Sequence, residues 1–155
     1  MFPARNPRFA DETHASFARQ SLMRTLGAEL VRVAPGEIDI ALPFSPAHCQ
    51  QNGFLHAGAI TSVADSANGY AAFTLCEPGT DVLAVEFKIN LLAPASARRF
   101  LAEGRVLRPG RTLTVCEARV WGLEEGERTL VATMLSTIIT RRAKSADERG
   151  GSPPE

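Results

Sequence analysis

Several features that would point to a partner or a compartment are missing from this chain. Lysine and arginine total 17, and so do aspartate and glutamate. That balance leaves no overall field to draw in nucleic acid or an anionic membrane. The three cysteines, Cys49, Cys76 and Cys116, are widely spaced and include no C-x-x-C pair. An odd count without a pair argues for reduced thiols and a cytoplasmic setting. The opening MFPARNPRFADETHASF holds no apolar core of signal-peptide length, and no run approaches a membrane span. Phosphate-loop and dinucleotide glycine patterns are absent, as is any internal repeat. His48, Cys49, His56 and Asp65 lack metal-ligand spacing, so no metal is expected.

What remains is one ordinary globular domain: 155 residues, 45% hydrophobic and 22% charged. Residues 1–14, rich in Pro, Arg and Asn, read as an extended arm. ASFARQSLMRTLG sets Phe17, Leu22 and Leu26 at helical spacing and stops at Gly27, which predicts a short helix. AELVRVAPGEIDIALPFSP predicts a hairpin turning at Pro35-Gly36. A loop and a helix follow, closed by Pro78-Gly79. The period then becomes two. VLAVEFKINLLAPA puts Val85, Phe87, Ile89 and Leu91 on one face and Glu86, Lys88 and Asn90 on the other. Two strands around Pro109-Gly110 and one after EEGE complete a domain over 15–141, with a disordered tail over 142–155. Because no strand–helix–strand unit repeats, the fold class is α+β, a mostly antiparallel sheet with one principal helix.

That helix holds the unusual residues. At about 100° per residue, Ile60, Val63, Ala64, Ala67 and Ala71 form a stripe that can face the sheet. Asp65 lies about 140° from Ile60, on a side shared with Gly58, Ser62, Gly69 and Ala72. No Lys, Glu or Arg occurs from 57 to 76, although these dominate ordinary exposed helix faces. A second copy of the chain is the expected cover. A covered aspartate needs a partner, such as Ser62 or Asn68, or a use. GFLHAG runs into the helix start, so the N–H groups of Ala57 and Gly58 are among its unpaired first-turn donors, able to hold an anion or a developing oxyanion.

The spacing of Gly53, His56, Gly58 and Asp65, the strand VLAVEFKINLLAPA and the hairpin GRVLRPGRTLTVCEARVW together resemble the PaaI-like acyl-CoA thioesterases of the hot-dog fold. The resemblance covers roughly residues 28–140. It implies a curved antiparallel sheet wrapped round one long central helix. It also implies a homo-oligomer, a dimer of dimers whose active sites are shared across a dimer interface. By position, Asp65 takes the catalytic carboxylate's place, as nucleophile or general base, and Ala57 or Gly58 that of the oxyanion donor. His56 corresponds to the loop histidine beside the thioester. Gln50 stands where relatives carry Asn, with Asn52 and Gly53 close by. H-A-G replaces H-G-G, and Ala84 replaces a Ser or Thr at the start of the next strand. Arg108 and Arg111, flanking Pro109-Gly110, correspond to a loop near coenzyme A phosphates, where Arg is well suited. No cofactor beyond the substrate's own coenzyme A is implied.

Seven residues of helix rise about 10.5 Å, so Gly58 and Asp65 of one subunit hardly reach one carbonyl, whereas a partner's Asp65 could. Two other readings stay open: a hydratase or dehydratase using His56, and an acyl-CoA-binding module without turnover. His48-Cys49 lacks an orienting third group for nucleophilic catalysis.

Overall fold

The computed structural model describes residues 2–143. Two short helices, α1 (Phe9–Phe17) and α2 (Ser21–Leu26), precede a hairpin of β1 (Glu29–Ala34) and β2 (Glu37–Pro43). A 3-10 turn at Pro46–His48 and a loop lead into α3 (Ala57–Phe73). Four strands follow: β3 (Thr80–Leu91), β4 (Arg99–Arg108), β5 (Leu113–Glu124) and β6 (Glu127–Arg142). All six strands form one sheet in the order β1-β2-β4-β5-β6-β3, and every neighbouring pair is antiparallel. The α+β expectation holds, with α3 lying across the face of the sheet as in the hot-dog arrangement.

Local chemistry explains the turns. Pro35-Gly36 joins β1 to β2 with Gly36 at φ +78°, the geometry of a turn that needs glycine at its third position. Glu125 and Gly126 both have positive φ, the two-residue hairpin whose twist matches its strands.

The face of α3 predicted to meet the sheet does so. Ile60, Val63, Ala64, Ala67 and Ala71 are all buried to 1% exposure or less. Small side chains bring the helix close. A Cβ added at Gly104 of β4 would overlap the Ala67 carbonyl and stand 2.9 Å from the Asn68 nitrogen. The core beneath is built from inward residues of β2, β4, β5 and β6, among them Ile38, Ile40, Phe100, Val120, Met134 and Ile138.

The N-terminus departs from expectation. The arm is shorter than 14 residues, because α1 begins at Phe9. Asp11 and Glu12 in its first turn suit the positive end of the helix dipole. Asn6 accepts from Arg8 N–H at 2.9 Å and donates to Glu12 at 2.8 Å, which ties the start down. The single helix expected over 15–26 is broken at residues 18–20, where Gln20 is extended. Arg24 donates to the Ala18 carbonyl at 2.9 Å, which satisfies a carbonyl at the break. Gly27, at φ +67°, ends α2 as predicted. At the other end β6 runs to Arg142, so that residue is strand rather than tail; the tail expected from there lies, over 144–155, outside the described residues.

The alternation of β3 is also altered. A register break between Ala84 and Glu86 leaves Val85 as an extra residue. Ala84, Phe87, Ile89 and Leu91 then oppose Ile138, Ser136, Met134 and Ala132 on the helix side of the sheet. Because β3 is the sheet edge, Val85, Phe87 and Leu91 remain 55%, 44% and 55% exposed.

Candidate active site

The loop before α3 is held by its backbone. Gln50 N–H donates to the Phe54 carbonyl at 2.9 Å and Gly53 N–H to the Gln50 carbonyl at 3.0 Å. Gly53 sits at φ +83°, which explains glycine there. Leu55 N–H donates to the Ala95 carbonyl and His56 N–H to the His48 carbonyl, both at 2.9 Å. These bonds aim the chain into α3. The Gln50 side-chain oxygen accepts from Asn52 N–H.

His56 is the N-cap of α3. Its Nδ1 accepts the Gly58 N–H at 2.8 Å. Accepting at Nδ1 requires a lone pair, so in this arrangement a neutral ring carries its proton on Nε2. The space beside Gly58 is filled by that imidazole, since an added Cβ would meet His56 Nδ1 at 2.9 Å. Of the two backbone donors offered as an oxyanion site, Gly58 is therefore occupied. Ala57 N–H has no hydrogen-bond partner among the described residues.

Asp65 lies eight residues further along α3, about 12 Å by helix rise. It is half-buried, and its Oδ1 is shielded from solvent without a hydrogen-bond partner among the described residues. Burial raises its pKa above the ordinary 3.8. Neither proposed structural partner serves it. Ser62 Oγ donates to the Gly58 carbonyl at 2.8 Å, and Asn68 Nδ2 donates to Ser136 Oγ at 2.9 Å.

The outer face of α3 is covered partly by the chain itself. Ser66 Oγ donates to Gln20 Oε1 at 3.3 Å, Tyr70 meets Ser16 at 3.2 Å, and the Phe17 and Tyr70 rings lie 5.7 Å apart. Ala72 is buried beside a cavity walled by Phe2 and Pro3. A second copy is thus not needed over the C-terminal half of that face. Ser62, Asp65 and Gly69 stay half-buried.

The thiols offer no nucleophile at this site. Burial pushes Cys116 up to about 12 and also raises Cys76, while Cys49 donates to the Ser45 carbonyl at 3.3 Å.

The Thioesterase superfamily pattern matches residues 52–129. A thioesterase family protein from Silicibacter pomeroyi superposes with a TM-score of 0.85 at 45% identity, over 87% of this chain and 99% of that one. The 1,4-dihydroxy-2-naphthoyl-CoA hydrolase of Listeria monocytogenes serotype 1/2a is 26% identical over 123 residues, 79% of this chain and 98% of that one. The chain belongs to the thioesterase superfamily. The PaaI protein of E. coli, from the phenylacetic acid degradation operon, shares the fold, with a TM-score of 0.76 at 19% identity over 88% and 94% of the two chains.

Within this thioesterase chain, Gln50 and Ala57 line one recess, and His56 and Gly58 are joined by the cap. Asn52 sits exposed in the loop, outside that recess. Ala84 lies on edge strand β3, beside the bulge. Arg108 and Arg111 flank the β4–β5 turn, and Arg111 lines a cavity with Leu75 and Cys76 beyond the C-terminal end of α3. A helix of 17 residues is about 25 Å long, so those arginines are remote from Ala57 of the same chain. Sequence reasoning missed the recess wall from Leu91 to Ala95, because it read LLAPA as the end of the strand, whereas β3 stops at Leu91 and the residues after it turn to line the recess.

Proposed function

We propose that this thioesterase hydrolyses an acyl-CoA to the free acid and coenzyme A, at a site assembled from two copies of the chain. The observation that carries this is a pair of unsatisfied groups on one helix. Ala57 has a free N–H, and Asp65 has a shielded, unpartnered oxygen. They stand about 12 Å apart along α3, too far to act on one carbonyl. A two-fold dimer with its α3 helices antiparallel brings Asp65 of one copy opposite Ala57 of the other, twice. The exposed apolar edge of β3, on the same side of the sheet as α3, suits such pairing.

At each site the Ala57 N–H donates to the thioester oxygen and stabilises the charge that develops there, at the positive end of a helix. Asp65 of the other copy removes a proton from water as it adds to the carbonyl carbon. Collapse of the tetrahedral intermediate breaks the C–S bond, and the proton passes to the departing sulfur. Direct attack by Asp65 on the same carbonyl would instead form a mixed anhydride and release the coenzyme A thiolate. In single turnover in ¹⁸O-water, label on Asp65 shows that water opened such an anhydride at the Asp65 carbonyl, which the general-base route never does. In this dimer the C-terminal end of the partner's α3 extends about 12 Å past Ala57, which directs the turn carrying Arg108 and Arg111 toward the coenzyme A phosphates. His56 supports the cap rather than acid–base chemistry: with Nδ1 accepting and Nε2 protonated it is a donor, not the base a hydratase needs. Reduced cysteines fit the cytoplasm as its location.

A panel of acyl-CoA esters assayed by thiol release tests the proposal. Asp65→Asn is expected to lower kcat by roughly 10²–10⁴-fold while leaving the fold and acyl-CoA affinity in place. Unchanged turnover removes Asp65 from the mechanism.

A further inference from the structure

Asp65 is not alone on α3 in holding a shielded oxygen. Asn68, three residues on, is fully buried, and its Oδ1 also lacks a partner among the described residues. Its Nδ2 donates to Ser136 Oγ on β6 at 2.9 Å, and the Ser136 hydroxyl makes no other hydrogen bond among those residues. Counted round the helix, Asn68 stands about 80° and Asp65 about 140° from Ile60 in one sense. Ser66 and Tyr70, which meet the N-terminal segment, stand about 120° and 80° from it in the other. The Asn68–Ser136 bond therefore marks the flank toward β6 and the β3 edge, and Asp65 shares that flank. Residues three apart on a helix are neighbours, about 5–6 Å between Cβ atoms, and helical side chains lean back toward the N-terminus. The Asn68 amide thus lies over the turn that carries Asp65.

We propose that Asn68 is a positioning residue for Asp65, its amide turning end for end as that carboxyl ionises. The positioning role rests on the hydrolase reading above. A hydroxyl can donate or accept, whereas an amide has one end for each. With Asp65 protonated, the arrangement seen suits all three groups: the acid O–H donates to Asn68 Oδ1, and Nδ2 donates to Ser136. An ionised Asp65 only accepts, so Asn68 Oδ1 facing it sets two acceptors against each other. Half a turn of the amide removes the conflict. Ser136 then donates to Asn68 Oδ1, and Nδ2 donates to Asp65 Oδ1. In this working state one carboxylate oxygen is anchored, and Oδ2 is left to take the proton from water at the thioester held by the other copy. Few other groups near the pair titrate. The helix-side positions of β2–β6 hold no Asp, Glu, Lys, Arg or His, and their one titratable group, Cys116, is pushed up to about 12. Arg19 of the N-terminal segment acts on Tyr70, across the helix.

Two measurements test this. In ¹⁵N-labelled wild-type protein, the Asn68 side-chain amide signals are assigned by their loss in Asn68→Leu or Asn68→Ser. They should shift in one step as pH falls from about 7 toward about 4, and should stay fixed in Asp65→Asn. Signals that do not move, or that move alike in Asp65→Asn, overturn the proposal whatever the activity. In turnover, Asn68→Leu should lower kcat roughly 10–100-fold, as loss of a bond to a charged group does, with KM changed less than about twofold. The same change should take nothing further from the residual rate of Asp65→Asn. Ser136→Ala should lower kcat about fivefold by the same route. A kcat unchanged by Asn68→Leu, or a loss that adds in full to that of Asp65→Asn, overturns the positioning role and leaves the hydrolase reading intact. Absence of thiol release from every ester with the wild-type protein overturns the hydrolase reading instead, and the amide signals then decide whether the pair is linked.

Discussion

Asp65 carries a cost that its surroundings do not offset. The carboxyl is half-buried on a helix with no hydrogen-bond partner for one oxygen, and burial alone raises its pKa. The folded state therefore binds that proton more tightly than the unfolded chain does. Its stabilising contribution is complete below the unfolded value of 3.8 and is lost as pH rises through the higher folded value. Asp65→Asn should accordingly be as stable as the wild type or more so at pH 7, and the gap should close as pH falls toward 4; thermal denaturation at the two pH values measures it. The activity profile moves with the same group. The ionised form is the working one, so the acid limb of kcat/KM should have its midpoint above 3.8. His56 invites a different expectation. Removing the cap in His56→Ala should cost about 1 kcal/mol and free the Gly58 N–H. Far less activity should be lost than in Asp65→Asn, and a loss as deep would place the ring in the chemistry.

At the scale of elements, α3 is fixed by how near it lies to the sheet. Gly104 leaves room for the Ala67–Asn68 backbone, and the buried Asn68–Ser136 bond ties the helix to β6. Gly104→Ala should destabilise the fold by about 3 kcal/mol, as overpacking against backbone does, and show in the urea midpoint. The helix was legible from periodicity, since small and apolar residues every three to four positions define the buried stripe whatever lies beneath. The oddity of Asp65 was legible for the same reason, from the missing Lys, Glu and Arg around it. The Gly58 cap was not, because it depends on where one imidazole points, and periodicity says nothing of rotamers. Nor was the early start of α1, whose signal was Asp11 and Glu12 rather than an apolar stripe. The bulge at Val85 escaped for a related reason. Strict alternation through VLAVEFKINL hides an inserted residue, and only the pairing with β6 reveals it.

For the whole molecule the two sheet edges differ in kind. Short β1 carries Arg32, which pairs with Glu37 at 2.5 Å, and a register break at residue 31, features that discourage further pairing. Twelve-residue β3 leaves Val85, Phe87 and Leu91 exposed. If two copies meet there, each site draws Ala57 from one chain and Asp65 from the other, and this dependence can be measured by complementation. Ala57→Pro deletes the N–H at the first helical position, where proline is well tolerated, and the preceding His56 already has the extended angles, φ −62° and ψ 139°, that precede proline. Alone, Ala57→Pro and Asp65→Asn should each be nearly inactive, since every site in either homodimer lacks one group. When the two are unfolded together and refolded as an equal mixture, half of the dimers are mixed. In each mixed dimer one site has both groups intact and the other has neither, so about a quarter of wild-type activity should return. A site contained in one chain predicts no recovery at any mixing ratio, so activity staying at the level of the separate variants would rule out the shared site.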